Sequence, residues 1–209
     1  MTFYDLVKEN HVIAIIRGIE IKDIIPVAQA LYNGGIRLVE VTMNTNSAPE
    51  MISLLNERFE DRLHIGAGTV LDVETAKEAT AAGAKYFVTP NVDEEVIAFA
   101  LKNNIGILPG VMTPTEVINA HKAGAKMVKV FPTSILGSNY IKELQGPLSH
   151  IPMVAVGGVR PDNIADFLKA GAVGVGVGNS LIDKTAIADG LFEKITEKAQ
   201  LLLQSIKEA

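Results

Sequence analysis

Two ionisable residues stand inside runs that are otherwise apolar. Lys129 lies in Met127-Val128-Lys129-Val130-Phe131, and Glu40 in Leu38-Val39-Glu40-Val41-Thr42. Side chains alternate along a β-strand, so the flanking valines face one side and Lys129 and Glu40 the other. If the valines meet covering helices, both ionisable groups point into the interior of the sheet. Burial disfavours an ammonium and drives its pKa down. A neutral amine attacks a ketone to give a carbinolamine and then an imine, and the protonated imine is an electron sink for C–C cleavage. A carboxylate beside it can carry the protons that those steps require. Position alone also fits a structural ion pair between the two, or a lysine that snorkels to a rim. Lys85 and Lys126 lie where strands begin and are read as solvated.

Glycine turns supply a second kind of chemistry. Val156-Gly157-Gly158-Val159 and Gly176-Val177-Gly178-Asn179-Ser180 each follow an apolar run. Backbone N–H groups exposed at such turns hold phosphate. The same turns also serve as tight strand-to-helix connections without a ligand.

Other chemistries find no support. Cysteine is absent, which removes disulfides, thiolate catalysis and cysteine-bound zinc. The four histidines, His11, His64, His121 and His150, show no HxH or HxxxH spacing, so no metal site is expected. No G-x-S-x-G elbow is present.

The elements that must position these groups form a repeat. NGGIRLVEVT at 33–42, AAGAKYFVTP at 81–90, KAGAKMVKVFP at 122–132 and KAGAVGVGVG at 169–178 each run from a helix end through a glycine into a short apolar strand. The glycine takes the left-handed position that stops the helix. Further strands lie between, in LHIGAGT and IGILPG, so each interval of about 40 to 50 residues holds two strand–helix units. Eight strands are expected, near 12–16, 38–42, 63–67, 86–89, 105–108, 127–131, 153–156 and 173–177. Two capping boxes are expected, Ser47 with Pro49 and Glu50, and Thr113 with Pro114 and Glu116. Eightfold alternation predicts one α/β domain over 1–209, a (β/α)8 TIM barrel with its active site at the strand C-terminal ends. An open doubly wound sheet is the alternative, but no GxGxxG follows the first strand. The expected strand ends bring together Arg17, Glu40, Thr42, Asn44, Thr69, Pro90, Pro109, Lys129, Phe131, Gly157, Gly158, Gly178 and Asn179.

The 209 residues suit one domain, and 48% hydrophobic with 21% charged residues is ordinary for a soluble protein. A net charge of −5 without a Lys/Arg block gives no nucleic-acid footprint. The apolar run Val12–Ile16 is too short for a signal peptide or a membrane span, so the expected location is cytoplasmic.

The segments VIAIIRG, GGIRLVEVT, IGAGTV, GILPGVMTPTE, KVFP and VGGV, in this order, resemble the 2-keto-3-deoxy-6-phosphogluconate / 4-hydroxy-2-oxoglutarate aldolases from about Val12 to Ile182. The resemblance implies a homotrimeric (β/α)8 barrel and a class I, cofactor-free retro-aldol reaction. A 2-keto-3-deoxy-6-phospho sugar acid would give pyruvate and glyceraldehyde 3-phosphate. It implies Lys129 as the Schiff-base lysine and Glu40 as the general acid/base. Arg17 and Thr69 would lie near the pyruvyl carboxylate. Pro90, Pro109 and Phe131 would line the pocket, and Gly157, Gly158, Gly178 and Asn179 would bind phosphate.

Two positions depart from the gluconate pattern. Asn44 stands where those enzymes often carry Arg, and Val156 where they often carry Thr. Both, with KVFPTSILGSNYIKEL, resemble the galactonate branch, and a Val cannot hydrogen-bond a sugar hydroxyl. Both C4 epimers stay open as substrates, as does unphosphorylated 4-hydroxy-2-oxoglutarate. A phosphate-binding barrel isomerase or synthase would share the glycine turns without needing Lys129. A non-enzymatic phosphosugar-binding protein would need neither Lys129 nor Glu40.

Overall fold

A computed structural model describes residues 2–207. Its strands are β1 (Val12–Ile16), β2 (Leu38–Thr42), β3 (His64–Gly68), β4 (Tyr86–Val88), β5 (Gly106–Leu108), β6 (Gly110–Val111), β7 (Val128–Val130), β8 (Met153–Val156) and β9 (Ala172–Val177). Its helices are α1 (Phe3–Asn10), α2 (Ile24–Asn33), α3 (Ala48–Phe59), α4 (Val73–Ala81), α5 (Glu94–Lys102), α6 (Pro114–Lys122), α7 (Thr133–Leu148), α8 (Ile164–Lys169), α9 (Lys184–Ala188) and α10 (Glu193–Lys207). All strand pairs are parallel, in the order β5-β4-β3-β2-β1-β9-β8-β7-β6.

The barrel has eight staves, as expected, but the fifth is broken. β5 pairs with β4 and β6 pairs with β7, and Pro109 lies between the two pieces. Proline has no N–H to give to a ladder. The Gly110 N–H beyond it is also diverted, donating to Thr89 Oγ1 at 3.2 Å. Pro109 is thus buried wall and does not line the cavity described below. Strand ends otherwise fall within two residues of expectation.

The alternation holds. Val39, Val41, Val128 and Val130 are buried in the layer between barrel and helices. Leu38, Met127, Val154 and Val156 belong to a separate cluster inside the barrel. At the repeated helix ends Gly35, Gly83, Gly124 and Gly171 have φ between 90° and 103°. Thr113 and Glu116 form the expected capping box, with Glu116 Oε2 accepting from the Thr113 N–H at 2.7 Å.

Ser47 corrects an expectation. It caps nothing through its side chain, because its backbone is left-handed at φ 59°. The turn before α3 is organised by Thr45 instead. Its buried hydroxyl lies 3.0 Å from Thr42 Oγ1 and accepts from the Gly18 N–H at 3.0 Å.

α1 was not anticipated. Phe3 and Val7 from this helix close the N-terminal end of the barrel, and Phe3 stacks on Tyr86 at 4.3 Å. His64 and the solvent-reaching Lys85 and Lys126 lie at this same end, bordering a shallow pocket with Tyr4. Burial pushes the His64 pKa down to about 4, which keeps its ring neutral at pH 7.

Candidate active site

The C-terminal ends of the strands surround a cavity of about 410 Å3. That suits a small ligand, since binding pockets run from roughly 300 to 1,000 Å3. Lys129 and Glu40 lie at its floor, 6% and 3% exposed.

Register and glycine size fix the floor. Lys129 pairs with Gly110 across the strands, and Glu40 with Gly66. A Cβ at Gly68 would sit 2.5 Å from Glu40 Oε1, so the carboxyl group occupies the space a side chain there would fill. A Cβ at Gly110 would sit 2.4 Å from the Pro90 carbonyl carbon, so the second half of the fifth stave approaches the end of the fourth only because residue 110 is glycine.

Among the described residues no ion pair joins Lys129 and Glu40. The structural ion pair left open above is therefore not what the strands build. Burial pushes the Glu40 pKa up to about 7, outweighing the opposing pull of Lys129 and Arg17. Burial likewise holds the Lys129 ammonium below its ordinary value, against the attraction of Glu40 and helped by Arg17. The Lys129 Nζ lies 4.7 Å from the centroid of the Phe131 ring, which roofs the amine with apolar surface. The result is an amine that releases its proton more readily and a carboxyl poised to give or take one near neutrality.

Arg17, past the end of β1, donates from Nη2 to Thr69 Oγ1 at 3.3 Å. Thr69 holds φ 56°, uncommon for a β-branched residue and strained. That strain keeps its hydroxyl at the Arg17 guanidinium and gives the cavity a cationic edge suited to a carboxylate.

The opposite edge is made of amides. Three turn carbonyls are tied down by side chains: Gly157 O by Thr133 Oγ1 at 2.7 Å, Gly158 O by Asn163 Nδ2 at 3.0 Å and Val159 O by Ser180 Oγ at 2.6 Å. In a trans peptide the next N–H points the other way. The Gly158 and Val159 N–H groups, with those of Asn179 and Ser180, find no acceptor among the described residues. All four residues line the cavity. Gly157 and Gly158 reach this conformation at φ 109° and 72°. Such a nest of unpaired donors fits an anion.

Of the residues expected at the site, the structure brings together Arg17, Glu40, Thr69, Pro90, Lys129, Phe131, Val156, Gly157, Gly158, Gly178 and Asn179. Asn44 is not among them. It is exposed on the turn after β2 and does not line the cavity, because the inward hydroxyl in that turn belongs to Thr45. Val159, Gly176 and Ser180, members of the two glycine turns, also line the cavity, as do Ile15 and Arg160, which were not foreseen. The parity of Ile13, Ile15 and Arg17 would have found Ile15. Arg160 lies beyond its glycine turn, where alternation no longer applies. No three His, Cys, Asp or Glu side chains converge on a possible metal site among the described residues.

A parallel barrel with a desolvated lysine, a neutral-range carboxyl and an anion nest is the frame of an enzyme acting on a small anionic carbonyl compound. Comparison with known proteins narrows that class. Residues 4–198 match the family model for KDPG and KHG aldolase, and the chain belongs to that aldolase family, a group of lyases. The 2-dehydro-3-deoxy-phosphogluconate aldolase of Treponema pallidum is 34% identical over 99% of this chain and 98% of its own. The 2-dehydro-3-deoxy-6-phosphogalactonate aldolase of Escherichia coli is 35% identical over 94% of this chain and 95% of its own. A crystal structure of KDPG aldolase from Legionella pneumophila, with pyruvate captured as a covalent carbinolamine, superposes with a TM-score of 0.87. It is 30% identical and covers 92% of this chain and 94% of its own.

Proposed function

We propose that this chain is a class I aldolase that cleaves a 2-keto-3-deoxy-6-phospho sugar acid, reversibly, to pyruvate and glyceraldehyde 3-phosphate, with Lys129 as the Schiff-base lysine. The observation that carries this reading is the desolvated Lys129 amine, unpaired beside Glu40 at the floor of a cavity with a carboxylate-binding edge and an amide nest.

The neutral Lys129 amine adds to the C2 ketone, and the carbinolamine loses water to give an iminium ion. Glu40 gives and takes the protons of these two steps. Ionised Glu40 then removes the C4 hydroxyl proton, the C3–C4 bond breaks and its electron pair moves into the iminium as an enamine. Glyceraldehyde 3-phosphate leaves. The enamine takes a proton at C3, and water hydrolyses the resulting iminium to pyruvate and free Lys129. Arg17 and Thr69 hold the pyruvyl carboxylate. Gly157, Gly158, Gly178 and Asn179 hold the phosphate at the far end, which fixes C2 against Lys129. The same mechanism accepts 4-hydroxy-2-oxoglutarate, giving pyruvate and glyoxylate.

Val156 favours the galactonate epimer. It lines the cavity and offers no hydroxyl to the sugar. Asn44 is too far out on its turn to support that choice. A side-by-side kinetic comparison of the two C4 epimers tests it; a preference for the gluconate form contradicts it. Lys129→Ala is expected to lower turnover at least about 1,000-fold. Retained turnover in that variant would point to a phosphate-binding isomerase or synthase.

We further read the chain as a cytoplasmic homotrimer. Leu71, Met112 and Ile135 follow strands of the same barrel end and are 52%, 41% and 78% exposed, apolar side chains that a neighbouring subunit would cover. No helix among the described residues is long and apolar enough to cross a membrane.

A further inference from the structure

Arg17 is aimed by its backbone more than by its side chain. It is exposed, and among the described residues its guanidinium makes one hydrogen bond, the 3.3 Å contact to Thr69, and no ion pair. β1 has already ended at Ile16, whose pairing with Val41 is the last of its ladder. The chain then turns left-handed at Gly18, with φ 60°.

A hydroxyl from the neighbouring stave fixes that turn. The Gly18 N–H belongs to the peptide that joins Arg17 to Gly18, and it donates to Thr45 Oγ1 at 3.0 Å. A peptide group is planar, so the bond sets the rotation of Arg17 about its Cα–C bond. Thr45 is a firm anchor, 5% exposed. Its N–H donates to Thr42 O at 2.8 Å, and its carbonyl accepts from the Ala48 N–H at 3.1 Å. Its hydroxyl lies 3.0 Å from that of the fully buried Thr42. Thr42 follows Glu40 by two residues on β2 and shares its inward parity. A Cβ at Gly68 would sit 2.5 Å from Glu40 Oε1 and 3.1 Å from Thr42 Cγ2, so both side chains pack on the same glycine. Two hydroxyls thus join the stave that carries Glu40 to the peptide that carries Arg17. Neither threonine lines the cavity, so neither is placed to touch a substrate.

Resting on the aldolase reading, we propose that Thr45 is a positioning residue, which acts through Arg17 to hold its guanidinium where the pyruvyl carboxylate binds. Its hydroxyl takes no part in bond making or breaking. Its effect therefore falls on binding of the carboxylate and depends on Arg17 being present.

The test is a double-mutant cycle of Thr45→Val and Arg17→Gln, with Thr45→Ser as the conservative variant. Pyruvate with borohydride modifies Lys129, and two quantities are read: the pyruvate concentration for half-maximal rate, and the rate at saturation. Thr45→Val is expected to raise the first roughly tenfold, the size of one lost hydrogen bond, and to leave the second within about threefold. Thr45→Ser restores the first to within about twofold of wild type. In the Arg17→Gln background Thr45→Val adds less than about twofold, because the group it positions is gone. Should the valine variant not fold, Thr45→Ala carries the same prediction, since it removes the hydroxyl and sets no methyl group against the Gly18 N–H. An unchanged half-maximal concentration without the hydroxyl overturns the proposal. So does a full penalty repeated in the Arg17→Gln background, which marks Thr45 as a brace that acts independently of Arg17. Failure of the parent reading looks different, because wild type itself then traps no pyruvate.

Discussion

Ionising Glu40 inside the barrel costs the folded state free energy, and that cost has a pH signature. In the unfolded chain the carboxyl releases its proton near 4.5, and in the folded chain near 7. Between those values the folded state holds a proton that the unfolded state does not. Stability from this group is thus fully present below pH 4.5, is lost as pH rises to 7, and amounts to about 3 kcal/mol at most. Lys129 acts in the opposite sense. Its lowered pKa makes stability rise with pH from the folded value up to 10.5. Glu40→Gln is expected to flatten the fall in melting temperature between pH 4.5 and 7. The same change removes the limb of the kcat/KM profile near pH 7 and lowers kcat about 100-fold or more. Melting curves that keep the wild-type pH dependence would show that Glu40 is not the group responsible. Both residues were legible as inward-facing, because strand alternation needs only a local run of apolar neighbours. Asn44 was not, since the direction of a side chain in a turn depends on backbone angles that alternation does not encode. Arg160 escaped for the same reason.

At the scale of elements, the site depends on where strands run close together. Gly68→Ala places a methyl group against the Glu40 carboxyl. It is expected to displace the carboxyl and lower kcat/KM about 100-fold with little loss of helix signal in circular dichroism. Gly110→Ala places its methyl against the Pro90 backbone, which cannot turn away as a side chain can. That variant is expected to lose about 3 kcal/mol and melt roughly 10 °C lower. A stable Gly110→Ala protein would mean that the fourth and fifth staves are less closely apposed there than the Gly110–Pro90 spacing implies. The eight staves were readable from the glycine-stopped helices and the β-branched runs after them. The break at Pro109 was written in the sequence as well, but its effect depends on which neighbour each half pairs with. The closing helix α1 carries its own signal, the Thr2–Asp5 capping box. Its place under the barrel, with Phe3 on Tyr86, follows from long-range packing that no local pattern contains.

For the whole molecule, the eight units close a barrel whose two ends differ in kind. One is sealed by α1 and the stacked Phe3, Tyr86 and His64 rings. The other is open and holds every candidate catalytic group. In the proposed reaction the division of labour around the open end follows stave order: carboxylate recognition after β1 and β3, chemistry from β2 and β7, anion binding after β8 and β9. The exposed Leu71, Met112 and Ile135 border this end, so in the proposed trimer assembly and catalysis share one face. Light scattering is expected to give three times the 22.3 kDa chain mass, and Ile135→Glu to shift the population toward monomer. A monomeric wild-type protein would remove the trimer from the account and leave the chemistry at Lys129 untouched.

That chemistry is tested most directly by incubating the intact protein with pyruvate and borohydride in the presence of EDTA, then mapping the modified peptide by mass spectrometry. The expected result is one irreversible adduct, located on Lys129, with loss of activity in proportion to labelling. An active enzyme that yields no adduct, or one labelled at Lys85 or Lys126 instead, contradicts the assignment.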